Sequence, residues 1–132
     1  MMSQDQRPDQ SRFDRGMRAL AEIHGDVGEK VVASLADIAP DFARYLVEFP
    51  FGDIYSRPGL DLRAREIATI AALTAMGGLE RQLKLHIAAG LHVGVSRGEI
   101  TEIIMQMAGY AGFPAALNGL FAAKEVFDGK DV

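Results

Sequence analysis

The chain has no cysteine and no tryptophan among its 132 residues. Without a thiol there is no disulfide, no thiolate nucleophile and no zinc–thiolate centre. Basic residues are not in excess either: 14 Lys and Arg against 18 Asp and Glu leave a formal charge of −4. Such a surface does not neutralise rows of phosphate, which argues against nucleic acid and anionic membranes as partners. No stretch of about 20 apolar residues is free of charge, so no membrane-crossing helix is expected. The opening "MMSQDQRPDQSRFDRG" lacks the apolar core of a signal peptide. The expectation is a soluble, cytoplasmic protein. With 48% hydrophobic residues the chain can bury a core, and its length fits a single domain over 1–132, with residues 1–10 as a flexible tail.

What is present has the period of helices, and no run of clean alternation is long enough for a strand. The fold class is all-α, with six to seven helices. Ser11 and Asp14 have the spacing of a helix cap, followed by Phe13, Met17 and Leu20 on one face, and this first helix is expected to end near "HGD". A second helix spans about Glu29 to Asp37. A third follows Pro40 with Phe42, Tyr45, Leu46 and Phe49 as its apolar stripe, and stops at Pro50. "FGDIYSRPGLD" then reads as an ordered loop. Asp61 caps a fourth helix that ends at Gly77-Gly78, and a fifth covers "LERQLKLHIAAGLHVG". Ser96 and Glu99 form a capping box for a sixth, closed by Gly112, and Pro114 opens a seventh that runs to about Phe127.

The fourth helix is apolar or small on every side from Ile67 to Met76, so it calls for cover all round, by other helices or by other subunits. Glu66 is its anomaly. At roughly 100° per residue it lies within about 40° of Leu62, Ile70 and Leu73, where a carboxylate needs a partner. That partner is either a neighbouring Arg63 or Arg65, which would make it structural, or a functional group. On the fifth helix His86 shares a stripe with Leu79, Leu83, Gly90 and Val93 and points inward, whereas His92 lies about 120° away and near a surface. A histidine on an apolar stripe is either a satisfied core residue or a proton-transfer group. His86, His92 and His24 have no metal-ligand spacing, so no metal is expected. "HVGVSRGEITEII" imitates a helix-turn-helix, but Glu99 and Glu102 on its second helix would be repelled by phosphates.

Four segments, "FGDIYSRPGL", "REIATIAALTAM", "LKLHIAAGLHVGVSRGEI" and "QMAGYAGFPAALNGLFAAKEVF", closely resemble the carboxymuconolactone decarboxylase family, which includes the alkylhydroperoxidase-like proteins. The resemblance covers roughly residues 40–128. It implies an all-helical fold that assembles into trimers or hexamers. It also offers two chemistries. The peroxidase branch carries cysteines seven and four residues before the histidine matching His86, and here those places hold Leu79 and Gln82. A disulfide-cycling thiol peroxidase is therefore excluded.

The decarboxylase branch needs no thiol and no cofactor, and takes a butenolide with a ring carboxylate and an acetate arm. As carbon dioxide leaves, electrons pass through the ring double bond to the lactone carbonyl, giving a dienolate that is then protonated on carbon. The resemblance thus implies a carboxy-lyase acting on 4-carboxymuconolactone or a related lactone acid, in the protocatechuate branch of aromatic catabolism. Arg57 in the matched loop suits the substrate carboxylates. Tyr55, Gln106 or Tyr110 would stabilise the oxyanion, His86 would deliver the proton, and Glu66 would orient His86. The sequence departs from the typical decarboxylase at Glu66, where the wider family often has glutamate, and in the stretch Gly77 to Arg81, one residue longer. The alternatives are an oligomeric small-molecule binding protein without chemistry, or a lactone isomerase using the same proton donor.

Overall fold

The computed structural model describes residues 8–130, and the first seven residues of the expected tail lie outside it. Within that range all regular structure is helical: α1 (Pro8–His24), α2 (Val27–Ser34), α3 (Pro40–Leu46), a π-helical segment (Val47–Tyr55), α4 (Leu62–Met76), α5 (Glu80–His92), α6 (Arg97–Ala111) and α7 (Phe113–Phe127). The all-α class holds. The described residues form two compact units that divide between Leu60 and Asp61.

In the first unit α1 packs against the π-helical segment. The start of α1 differs from the cap expected at Ser11. Pro8 already opens the helix, because its fixed φ suits the first turn and its missing N–H would have had no partner there. Ala19, Leu20 and Ile23 bury themselves with Ala43, Val47 and Phe51. Gly16 makes the close approach possible, since a Cβ there would stand 2.1 Å from the Val47 carbonyl oxygen. Arg12 forks onto Asp53 (Nη2–Oδ2 2.7 Å, Nε–Oδ1 3.2 Å), and Arg15 donates to the Gly52 carbonyl at 2.7 Å. The Arg12 hydrogen bond is the main reason the Asp53 carboxyl is held below its ordinary value.

Two expectations for this unit are corrected. Pro50 does not stop the chain's helical path, and Phe51 to Tyr55 are not loop: the path widens into π-helical turns across the proline. A proline has no N–H to give, and the wider turn relaxes its clash with the preceding turn. The stripe Phe42, Tyr45 and Phe49 faces outward, and the buried positions are Ala43, Val47 and Glu48. Glu48 is a second buried carboxylate, 3.9 Å from Arg44 and with Oε2 lacking a hydrogen-bond partner.

In the second unit α4 packs on α5 and α6, and α7 closes on α6 and α5. The core is Ile70, Leu83, Ile87, Val95, Ile100 and Ile104 with small residues of α7; each fully buried isoleucine contributes about 1.5–3 kcal/mol. The helix ends follow the sequence closely. Asp61 accepts from the Ala64 N–H at 2.8 Å, and the Ser96–Glu99 capping box closes in both directions. Gly77 and Gly78, at φ 70° and 72°, turn α4 into α5 with a backbone that residues bearing a Cβ rarely adopt. α4 is not covered all round by its own chain: Ala68 and Ala72 are exposed, and Met76 is 70% exposed.

Candidate active site

The α4–α5 hairpin brings together the two residues singled out on its wheels. Glu66 is fully buried with Ile70 and Thr74 on the inner face of α4. From α5, twenty residues further on, His86 places Nδ1 2.8 Å from Glu66 Oε1. An ionised carboxylate only accepts, so Nδ1–H donates to it and Nε2 is the ring nitrogen that Glu66 does not engage. Of the arginines offered as structural partners for Glu66, Arg63 donates instead to Glu99 and to the Gly94 carbonyl. Glu66 Oε2 is buried and has no hydrogen-bond partner. A buried polar atom in that state is costly.

The imidazole side chain keeps 19% of its surface accessible, so a small molecule can reach it while the carboxylate behind it stays dry. Gly90 does not leave room for a ligand, because a Cβ there would meet Ile70 Cδ1 at 3.0 Å, and Ala89 is buried. The small residues of α5 serve its packing on α4. His92 is exposed, as its place on the wheel indicated.

The other candidates are arranged differently. Gln106 and Tyr110 lie on α6, both exposed, Tyr110 by 83%. Gln106 lines an open groove of about 580 Å³ with Ile67, Ser96, Glu99 and Glu102. Neither Glu66 nor His86 borders it. Glu99 is held below the ordinary carboxylate range, first by the Ser96 backbone N–H and then by Arg63, so this groove presents negative charge and disfavours an anionic ligand. Tyr55 and Arg57 belong to the first unit, where the Tyr55 ring lies 5.3 Å from that of Phe51 and Arg57 is exposed in the loop. Among the described residues no three His, Asp or Glu side chains group in a way that could hold a metal ion. None of these helices is long and apolar enough to cross a membrane. The buried Glu48 was missed from sequence; its one signal is Arg44 four residues earlier.

The family model described as the carboxymuconolactone decarboxylase family matches residues 40–125. The chain belongs to this family. All six candidate residues fall inside the match. Among its relatives, a 4-carboxymuconolactone decarboxylase of Acinetobacter baylyi is 34% identical over 120 residues, spanning 90% of this chain and 89% of that protein. An uncharacterized 15.0 kDa protein of Paracoccus denitrificans is 33% identical over 99 residues, 74% of each chain. A nitrosuccinic acid decarboxylase of Metarhizium robertsii is 26% identical over 120 residues, 88% of this chain and 81% of that protein.

Proposed function

We propose that the protein is a cofactor-independent decarboxylase acting on 4-carboxymuconolactone or a related lactone acid. The observation that carries the reading is the Glu66–His86 pair: an accessible imidazole whose inner nitrogen is engaged by a fully buried carboxylate. Two relatives bear the names of decarboxylases, and their named substrates have a feature in common. In each, loss of the carboxylate leaves an electron pair that an adjoining acceptor can take up, a conjugated lactone carbonyl in one and a nitro group in the other. The hard step for such an acid is not oxidation or hydrolysis. It is control of the carbanion equivalent and its protonation.

The step balances without a co-reactant. The bond between the ring carbon and its carboxylate breaks and carbon dioxide departs. The electron pair moves through the ring double bond onto the lactone carbonyl oxygen, and the resulting dienolate takes a proton at the carbon next to the carbonyl. His86 supplies that proton from Nε2, with Nδ1–H held on Glu66, and solvent returns one to the imidazole afterwards. Glu66 fixes the tautomer and stabilises the imidazolium, as buried carboxylates do for imidazoles in general. Arg57 suits a carboxylate by its fork of donors, and Tyr55 and Tyr110 suit an oxyanion as hydrogen-bond donors; Gln106 lines the groove that neither Glu66 nor His86 borders and has no part in this step.

The test is direct. Purified protein incubated with γ-carboxymuconolactone should release one carbon dioxide per lactone consumed. Binding of the lactone without gas release, at any pH between 6 and 8, would overturn the reading and leave a binding protein.

A further inference from the structure

We draw no further inference here: the strongest candidate, the exposed apolar stripe of Phe113, Leu117 and Phe121 along α7, carries none, because nothing in the structure shows what covers it.

Discussion

Replacing Glu66 by Gln separates what the buried carboxylate does for the fold from what it does for the imidazole. The side chain accepts one hydrogen bond from His86, and its Oε2 has no partner. Gln has nearly the same shape, and its carbonyl can accept the same N–H. The exchange gives up a charge-assisted hydrogen bond of about 1.5–3 kcal/mol for a neutral one of about 0.5–1.5 kcal/mol. It also replaces the unpartnered Oε2, a buried charged atom, by an unpartnered neutral NH2, whose burial costs less. The terms nearly cancel, so stability should stay within about 1 kcal/mol of wild type, a few degrees in melting temperature. Glu66→Ala has no such cancellation. It strips the Nδ1–H of its acceptor and opens a void, a loss of about 2–5 kcal/mol, toward the lower end because His86 is 19% exposed and water can reach it. Turnover should follow a different order. A Gln amide can also present its NH2 to Nδ1 and select the opposite tautomer, so Glu66→Gln should lose at least about tenfold in kcat while melting like wild type. Melting temperature and turnover are to be measured on one preparation. A Gln variant with wild-type turnover would refute the positioning role, and one as unstable as the Ala variant would refute the energetic account.

The remaining expectations are these. His86→Asn should lower kcat by about 10²- to 10⁴-fold with fold and assembly retained; an Asn variant that melts early yet turns over at the wild-type rate contradicts the catalytic reading. With no residue able to form a sulfenic acid, consumption of an alkyl hydroperoxide should stay at the buffer rate even with a thiol reductant present, and a rate well above it would defeat that argument. Because Asp53 is held below its ordinary value of 3.8, chiefly by Arg12, its stabilisation is in place above about pH 4 and lost as pH falls through the folded-state value. Asp53→Asn should thus unfold at lower urea than wild type at pH 7 and converge with it in acid; an equal gap at both pH values is the contrary result. Met76 at 70% exposure and Phe113 at 73% leave apolar surface bare on the second unit, so the protein is expected to form a trimer or hexamer, and light scattering that finds a stable monomer at micromolar concentration would disprove it.

The sequence was legible where a residue acts on its own neighbourhood. Asp61, Ser96 with Glu99, Gly77, Gly112 and Pro114 mark helix ends by local hydrogen bonding and backbone preference, and the structure uses each where expected. The Glu66–His86 contact was legible because each residue broke the pattern of its own helix. It failed where tertiary packing decides. The π-helical turns through Pro50 have no period to read, since the sequence there satisfies a wider turn only once α1 lies against it. Phe42, Tyr45 and Phe49 have helical spacing, yet the smaller Ala43 and Val47 take the inner face, where α1 leaves little depth at Gly16. The lone Oε2 of Glu66 could not be read at all, because partners are counted in space.

The turn of two left-handed glycines between α4 and α5 sets more than the end of a helix. It acts as a gear. Each residue added to or taken from it would advance α5 by about 1.5 Å and rotate it by about 100° relative to α4, carrying His86 away from Glu66 and Leu83 and Ile87 out of the core together. Helix packing and the Glu66–His86 contact therefore share one register, and the length of the turn fixes both.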